Sequence, residues 1–433
     1  MAERYDVIVI GNGAVGLSIA HRLKARAPEL RLAVIGERAR PGGASPAAGA
    51  MLNAWGDLVR DQFADPILID RAELMIGALP LWEAFCQELA PFAVGLKPGW
   101  GTLVLETGRG GASEAETLAT AIGALEARGL SAPRHPRGRI VPDGWIDAAA
   151  VLAALDAALF AQGAALMDGA VTALNQTDGG WSARLNTGAA LQGEHVVLAN
   201  GPFAQALVEP LEDVRRATPR LVYEAGAGFN VVFPGAPPVP FVARTLGRGA
   251  IGGFHIVPLG AARFYVGATA EAALEPNWTL PEKRLAAVRK AFVEEYDPAF
   301  AAALFTPGPL GFRALSADGF PLLGQSHLRG LWFATGMRRD GLTSCPAIAR
   351  DIAAAMLDGE ISASLKRFAP SRALLSYKKK QAALADAAAG HGPEETARLT
   401  ALADTLDLGD FGISPSVLPL LANEKARALL FPR

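Results

Sequence analysis

Three glycines near the start of the chain, Gly11, Gly13 and Gly16, have the type and spacing that suit phosphate binding. In the sequence GNGAVG the first glycine permits a tight turn, the second lets backbone approach a pyrophosphate, and the third lets a helix pack closely on a strand. The dipole at the start of that helix favours negative charge. A β-rich run (5–10) precedes the motif and a helical pattern follows it, which predicts a dinucleotide-binding unit. Its predicted contacts are Gly11, Gly13, Ala14, Val15 and Gly16.

An acidic residue that holds the adenosine ribose is expected at the end of the second predicted strand, 32–35. Gly36 and Glu37 occupy that place. Three interpretations stay open: Glu37 binds the ribose one residue late, backbone alone holds it, or Glu37 is a solvated surface residue. Glu37 and the adjacent Arg38 are therefore kept as candidate cofactor contacts.

A run of small residues, RPGGASPAAGAML at 40–52, is too poor in bulk to form a packed helix face. Small residues in series let backbone lie against a flat or charged group. With the glycine motif, this run resembles the D-amino acid oxidase superfamily of flavoproteins, most closely its glycine oxidase and sarcosine oxidase branch. The resemblance implies FAD as the cofactor, with Ser45 as a phosphate contact. The other residues that it places around the flavin are Gly43, Ala44, Ala48, Gly49 and Met51.

The resemblance covers about residues 4–366. It implies that backbone at Val171 meets the adenine and that Ala199, Asn200 and Gly201 form a second turn beside the flavin. The N-terminus of a helix predicted over 348–357 would face the pyrimidine oxygens of the flavin, where negative charge accumulates on reduction. The candidate cofactor contacts in this last part are Arg313, Gly336, Arg338, Arg339, Asp340, Gly341, Leu342 and Thr343.

Two positions depart from the family pattern. Ala314 replaces the usual proline, and Met337 stands where a histidine is common. The second change removes a polar group near the flavin and leaves the substrate class open. Cys345 lies near the expected flavin edge, where some relatives bind FAD covalently through a cysteine. Because the pattern around Cys345 does not match theirs, noncovalent FAD is predicted.

Arg313 and Arg339 are the first candidates for catalysis, because a planar guanidinium suits bidentate binding of a substrate carboxylate. In the glycine oxidase branch, arginines in these two motifs lie at the substrate site. Arg338 is the rival for the second position. The alternative for Arg313 and Arg339 is that they are exposed and cover apolar surface.

Tyr265 and His255 complete the candidate catalytic set, and Arg244 is a third polar residue to follow on the same predicted sheet. All three lie in 215–270, where β-branched and aromatic residues separated by Gly and Pro predict antiparallel strands roofing the flavin. Structural or surface roles are the commoner use of such side chains. His255 has no charge partner nearby in sequence and is not nominated as a base.

The function predicted from the resemblance is oxidation of a C–N bond in an amino acid or related amine. Hydride passes to flavin N5, the imine hydrolyses to an oxo acid, and O₂ is reduced to H₂O₂. One alternative is a dehydrogenase that passes electrons to a quinone or carrier protein. A third, of a different class, is a non-catalytic FAD-binding subunit of a complex.

Composition argues against several other classes. Lys plus Arg (41) nearly balances Asp plus Glu (43), so the net charge does not indicate a nucleic-acid partner or an acidic membrane surface. The two cysteines, Cys86 and Cys345, lie far apart, so neither a disulfide framework nor a metal site is predicted. The chain opens on a strand and has no apolar run of membrane length, so we expect no signal peptide, no membrane span and a cytoplasmic location.

The predicted fold class is α/β, and a chain of 433 residues can bury a large core. A discontinuous Rossmann-type FAD-binding domain is predicted at 1–80, 140–214 and 305–366. An inserted substrate domain of antiparallel mixed sheet plus helices is predicted at 81–139 and 215–304.

A C-terminal helical extension, 367–433, has no counterpart in the resemblance. Its helix-like blocks are 371–389, 393–406 and 414–430. We expect it to pack on the body as a cap or to join a homodimer, and the less common alternative is a role at a membrane surface or with a partner protein.

Overall fold

The computed structural model describes residues 3–58, 62–108, 111–235, 240–246, 253–260 and 262–376, and in the C-terminal part 397, 401, 417, 420–421 and 423–430. The strands in these residues are β1 (Glu3–Ile10), β2 (Leu32–Ile35), β3 (Met51–Leu52), β4 (Gly99–Leu105), β5 (Arg134–His135), β6 (Gly138–Trp145), β7 (Ala165–Met167), β8 (Val171–Thr177), β9 (Gly180–Leu185), β10 (Ala190–Leu198), β11 (Leu221–Gly226), β12 (Phe229–Val232), β13 (Val242–Thr245), β14 (His255–Pro258), β15 (Arg263–Gly267), β16 (Glu271–Ala273), β17 (Leu304–Pro307), β18 (Gly311–Ser316), β19 (Leu322–Gln325) and β20 (Leu331–Thr335). The α-helices are α1 (Ala14–Arg26), α2 (Pro66–Ala78), α3 (Leu81–Leu89), α4 (Gly111–Glu126), α5 (Ala148–Ala161), α6 (Ala204–Val208), α7 (Glu212–Ala217), α8 (Glu282–Glu295), α9 (Gly341–Asp358), α10 (Ala363–Arg367) and α11 (Glu424–Leu430).

The first sheet, here called the parallel sheet, has the strand order β19-β20-β10-β1-β2-β7, with β9 beside β10 and β8 beside β9. β1 pairs in parallel with β2 and β10, and β10 pairs in parallel with β20. The aliphatic side chains of these strands are buried, as expected for a parallel sheet that helices cover. The carboxyl ends of β1, β10 and β20 therefore meet at one edge. The prediction of a Rossmann-type fold is confirmed.

Two further sheets lie beyond that edge. The large sheet has the order β17-β12-β15-β14-β13-β4-β6-β3, and the small sheet has the order β16-β11-β18. The large sheet takes β3 from the segment predicted as cofactor-binding, because Met51 and Leu52 pair with Trp145 and Gly144. The run 40–52 thus connects the parallel sheet to the large sheet and must pass across the space between them.

Several local predictions hold and others need correction. Asp147 caps α5, since its carboxylate accepts hydrogen bonds from the backbone N–H groups of Ala149 and Ala150. The helix predicted from 348 begins at Gly341 and continues through Pro346. Burial of its apolar face outweighs the one hydrogen bond that the proline removes.

The C-terminal extension differs from its prediction at one end. Residues 371–376 are irregular rather than helical, because Arg372 turns back to pair with the buried Asp318. The block 393–406 and residues 377–389 lie almost wholly outside the described residues. At the other end, α11 and the residues just before it pack on the small sheet, where they form one apolar cluster: Val222, Leu315, Ala317, Val417, Leu421, Ala426 and Leu430. No helix in the described part of the chain has the length and hydropathy needed to cross a membrane.

Candidate active site

A cavity of about 670 Å³ opens where the carboxyl edge of the parallel sheet faces the other two sheets. The turn after β1 and the turn after β10 form its floor. The run 40–51 crosses it, and the large and small sheets supply the opposite walls. Crevices outside the carboxyl ends of parallel strands are the usual ligand sites of such folds.

Backbone atoms pack closely around the glycine turn that follows β1. Gly11 has φ +116°, and a Cβ there would lie 2.5 Å from the carbonyl carbon of Ala199. The Oγ of Ser45 accepts a hydrogen bond of 3.0 Å from the backbone N–H of Ala14, the first residue of α1. The first turn of α1 contains no acidic residue. The positive end of α1 therefore faces the cavity without an acidic side chain beside it, which suits a pyrophosphate.

Local packing requires glycine at position 36, directly after β2. A side chain at Gly36 would overlap Asn12, whose Nδ2 donates a hydrogen bond of 2.9 Å to the carbonyl oxygen of Glu37. Glu37 lines the cavity, whereas Arg38 does not: its backbone N–H is bound to Asp168 Oδ1 at 2.9 Å. Asn12 thus occupies the space that an acidic side chain after β2 would need.

Arg40 is a cavity residue that the sequence did not indicate. It has φ +49°, its Nε donates to the carbonyl oxygen of Asn12 at 2.8 Å, and its Nη2 pairs with Asp156 at 2.6 Å. A non-glycine residue in the left-handed region is unusual, and here the two hydrogen bonds hold it.

The run 43–51, which the resemblance places around the flavin, lines the cavity. A Cβ on Gly49 would lie 2.5 Å from His255 Nε2 and 2.8 Å from Tyr265 Cε1, so only glycine fits beneath these two rings. Ala50, the next residue, has φ +59°. The tight fit places backbone of this run against the large sheet.

Most of the predicted contacts come together in this cavity. Those that line it are Gly11, Gly13, Ala14, Val15, Glu37, Gly43, Ala44, Ser45, Ala48, Gly49, Met51, Val171, Ala199, Asn200, Gly201, His255, Tyr265, Arg313, Arg338, Arg339, Gly341 and Leu342. Besides Arg38, which is exposed, four predicted contacts do not line the cavity and lie behind its wall: Gly16, Gly336, Asp340 and Thr343.

Each residue behind the wall has a structural partner. Gly16 packs against the carbonyl oxygen of Gly11, and Gly336 occupies a turn with φ +79°. The Thr343 hydroxyl accepts a hydrogen bond of 2.9 Å from the backbone N–H of Asn53, and Asp340 pairs with Arg71 at 2.8 Å. These residues support the wall without facing the cavity.

The chief feature that sequence reasoning missed is a buried carboxylate, Glu224, whose side chain is 1% exposed. Arg338 donates to its Oε2 at 2.7 Å, Arg313 to its Oε1 at 3.1 Å, and Arg339 Nε lies 4.0 Å from Oε1. Burial alone would raise the pKa of Glu224, but Arg338, Arg313 and Arg339 outweigh it and lower the pKa to about 2. The carboxylate is ionised and orients the three guanidinium groups.

A second ion pair, also missed, lies on the large sheet. Arg244 Nη2 pairs with Asp57 Oδ1 at 2.8 Å, and the two side chains are 6% and 17% exposed. Despite its burial, the pKa of Asp57 is held well below its usual range by Arg244, Arg339 and Arg71. Nothing local in the sequence relates Asp57 to Arg244, which lies 187 residues away.

His255 and Tyr265 stack with ring centroids 5.6 Å apart. Burial, with Arg244, Arg313 and Arg339, lowers the pKa of His255 to about 3, so its imidazole is neutral at pH 7. Burial raises the pKa of Tyr265, so its phenol is also uncharged. The two rings form an uncharged wall between the arginines rather than an acid–base pair.

The two positions that depart from the family pattern, Ala314 and Met337, both line the cavity. Met337 lines the cavity and is 9% exposed, so an apolar thioether replaces a polar group there.

Cys345 is fully buried in the core and does not line the cavity, and burial raises the pKa of its thiol to about 12. A thiol so placed does not face the cavity and is protonated at pH 7. Among the described residues there is no cluster of three His, Cys, Asp or Glu that could hold a metal ion.

Several buried polar atoms on the cavity wall have no hydrogen-bond partner among the described residues. They are Asn53 Oδ1, Asn200 Oδ1, Arg244 Nη1 and His255 Nε2. Buried polar atoms are nearly always paired, so these atoms indicate a polar ligand. With the glycine cradle and the N-terminus of α1, the wall fits a dinucleotide and a small polar substrate beside it.

Fold and site define an FAD-binding oxidoreductase, and the chain belongs to that family: the FAD dependent oxidoreductase (DAO) family matches residues 6–355. FAD is its cofactor. One relative, the glycine oxidase of Geobacillus kaustophilus, is 26% identical over 362 residues, which are 80% of this chain and 91% of that protein.

The bifunctional protein ThiO/ThiG of Synechocystis sp. is 27% identical over 382 residues, which are 86% of this chain and 55% of that protein. This chain therefore spans about half the length of its bifunctional relatives. Solved structures with the same fold include iminodiacetate oxidase from Chelativorans sp. BNC1 (TM-score 0.71, 20% identity, 85% of this chain and 100% of that one). Glycine oxidase from Geobacillus kaustophilus is similar (TM-score 0.70, 22% identity, 86% and 100%).

Proposed function

We propose that the enzyme oxidises the C–N bond of an amino acid, or of a related amine that carries a carboxylate. The imine then takes up water and yields an oxo acid, and O₂ accepts the two electrons to give H₂O₂. The observation that carries this proposal is the excess of arginine over carboxylate at the inner wall of the cavity.

Apart from Arg40, which pairs with Asp156, four arginines line the cavity: Arg244, Arg313, Arg338 and Arg339. Asp57 pairs with Arg244, whereas Glu224 is shared by the other three, so Glu224 alone does not neutralise both Arg313 and Arg339. The nearby pair of Arg71 and Asp340 is neutral as a unit. A surplus of buried positive charge is costly unless an anion completes it. A substrate carboxylate supplies such an anion.

Arg339 is the side chain best disposed to receive that carboxylate. Its contact with Glu224 is the longest of the three, at 4.0 Å, and its side chain is 31% exposed. Burial, with Arg338 beside it, lowers the pKa of Arg339 to about 10, which leaves it charged at pH 7. Arg313 is held by Glu224 and by the carbonyl oxygen of Thr269, each at 3.1 Å, and so presents a fixed edge. Together they form a carboxylate clamp.

The same charge surplus acts on the substrate nitrogen. Positive charge nearby lowers the pKa of an ammonium group, so the bound amine loses its proton more readily. His255 and Tyr265 add no charge at pH 7. Bound FAD would supply the two-electron acceptor for the C–H bond beside the nitrogen. The chain's own task is then orientation and selection of the neutral amine.

The test is anaerobic mixing of the purified holoenzyme with a panel of amino acids and with amines that lack the carboxylate, while the oxidised flavin band is recorded. Amino acids should bleach the band, and the matched amines should react far more slowly. Arg339→Met and Arg313→Met should each lower kcat/KM by about 100-fold, since each removes charge-assisted hydrogen bonds. Arg329→Met is the control, because Arg329 is 88% exposed.

The outcomes separate the alternatives. If air restores the band and H₂O₂ appears, the enzyme is an oxidase. If only a quinone or carrier restores it, the acceptor in the proposal is wrong and a dehydrogenase remains. If no compound bleaches the flavin of a fully loaded protein, or if the amines react as fast as the amino acids, the proposal fails.

A further inference from the structure

Arg244 is separate from the carboxylate clamp. It projects from β13 of the large sheet, whereas Arg313 projects from β18 of the small sheet. Its only carboxylate partner among the described residues is Asp57, which binds Nη2 at 2.8 Å. Nη1 belongs to a side chain that is only 6% exposed. It is buried on the cavity wall and has no acceptor among those residues. A guanidinium nitrogen so placed calls for an acceptor from a ligand.

The loop that carries Asp57 is fixed in place. The buried carboxylate of Asp143 accepts hydrogen bonds from the backbone N–H groups of Ala54, Trp55 and Gly56, at 3.0, 2.9 and 2.7 Å. This loop therefore holds Asp57 against Arg244. Arg244 is preorganised, so a ligand that binds Nη1 need not order it.

Two further unsatisfied atoms accompany Nη1 on this wall. His255 lies opposite Arg244 in the pairing of β13 with β14, and its Nε2 has no partner in the described part of the chain. The same holds for Asn53 Oδ1. Arg244, Arg339 and Arg71 lower the pKa of Asp57, so its carboxylate stays ionised and keeps its bond to Nη2. Asp57 thus occupies one edge of the Arg244 guanidinium and leaves Nη1 to another acceptor.

We propose that Arg244, with His255 beside it, binds a second acid group of the substrate, so that the enzyme prefers amino acids that carry two carboxylates. This rests on the proposed function, in which Arg313 and Arg339 hold the first carboxylate. The second acid group meets Arg244 Nη1, which Asp57 leaves free, and neutral imidazole at Nε2.

The first experiment measures binding without turnover. Succinate and its monoamide, succinamate, have nearly the same shape and differ in one charge, and neither carries an amine. Each is titrated into the oxidised holoenzyme while the flavin spectrum is recorded. Succinate should bind about 10- to 100-fold more tightly, the range expected when a charge-assisted bond is gained.

The variant that tests Arg244 is the double substitution Arg244→Met with Asp57→Asn, which leaves no buried carboxylate unpaired. Arg244→Lys, which keeps the charge but loses the fork, is the second variant. The double variant should bind succinate and succinamate alike, and Arg244→Lys should retain part of the preference. Arg263→Met is the matched control, because Arg263 is exposed on β15 of the same sheet.

Anaerobic flavin reduction then compares aspartate with asparagine in both stereochemical forms. We expect aspartate to have the higher kcat/KM, and the double variant to lose that advantage because its kcat/KM falls further for aspartate than for glycine. Equal binding of succinate and succinamate by the unmodified enzyme, a preference that survives in the double variant, or an equal loss for glycine and aspartate would overturn the assignment. Because succinate binding needs no turnover, failure of the proposed oxidation is distinguishable from failure of this subsite.

Discussion

Glu224→Gln tests whether a buried carboxylate holds the arginine cluster together. Glutamine keeps the shape of the side chain but supplies no charge, so Arg338 and Arg313 lose their counter-ion. The pKa of Glu224 is lowered from its usual 4.5 to about 2, and the carboxylate is 1% exposed, so solvent screens the interaction little. A difference of this size corresponds to about 3 kcal/mol of stability at neutral pH.

The sign of the pH dependence follows from the direction of the shift. Because the folded-state pKa lies below the unfolded value, the stabilisation is complete above about pH 4.5 and is lost as the pH falls towards 2. The substitution should therefore cost about 3 kcal/mol at pH 7 and only about 1 kcal/mol near pH 3. The wild-type and variant stabilities converge on acidification.

Urea unfolding of both proteins at pH 7, 4 and 3, with FAD in excess, measures the difference directly. The control is Glu194→Gln, because Glu194 is 51% exposed and lies 3.7 Å from Arg329. Its loss should be under about 1 kcal/mol at each pH. A Glu224→Gln loss equal to that of the control, or one that does not shrink between pH 7 and pH 3, would refute the account of the cluster.

Three further predictions follow from other parts of the structure. Ser45→Ala should weaken FAD binding about 5- to 10-fold in a fluorescence titration, since the hydroxyl accepts the Ala14 N–H and helps to shape the phosphate site; unchanged affinity would count against the cradle. Acid precipitation of the holoenzyme should leave all FAD in the supernatant, because Cys345 is buried away from the cavity; flavin in the pellet would contradict noncovalent binding. Leu421→Ala should lower the free energy of unfolding by about 2–4 kcal/mol, because Leu421 is fully buried in the apolar cluster with Val222 and Leu315; a loss below 1 kcal/mol would show that the contact contributes little.

The grouping of the predicted cofactor contacts around one cavity could be foreseen because each of their motifs is local in the sequence. The glycine turn, the small-residue run and the turn after β10 each require particular backbone within a few consecutive residues, and the sequence displays that requirement directly. The lack of an acidic residue directly after β2 is only partly explained by local sequence. Gly36 is explained only once Asn12 is seen to fill its space, yet both residues belong to the predicted βαβ unit.

The substrate half of the site was less predictable because its charges are paired across long distances in the chain. Arg313 was nominated from a motif, but its partner Glu224 lies 89 residues away on β11. One structural signal could have found it: in the antiparallel pairing of β11 with β18, Glu224 stands directly opposite Arg313. Opposite charges on facing positions of a strand pair stabilise each other. A confident register for these two strands would therefore have revealed the buried carboxylate.

Asp57 carried no such signal, and the reason is physical. It belongs to a short turn that the remote carboxylate of Asp143 fixes through backbone N–H groups, and its partner Arg244 comes from a third segment. The charge of Asp57 can pair with Arg244 only after these three separate segments have folded together. Buried ion pairs contribute little stability compared with apolar replacements, so local propensity does not demand them. The pair of Asp57 and Arg244 is better explained by a ligand, because Asp57 orients Arg244 to bind one. This part of the cavity wall therefore bears on substrate choice more than on folding.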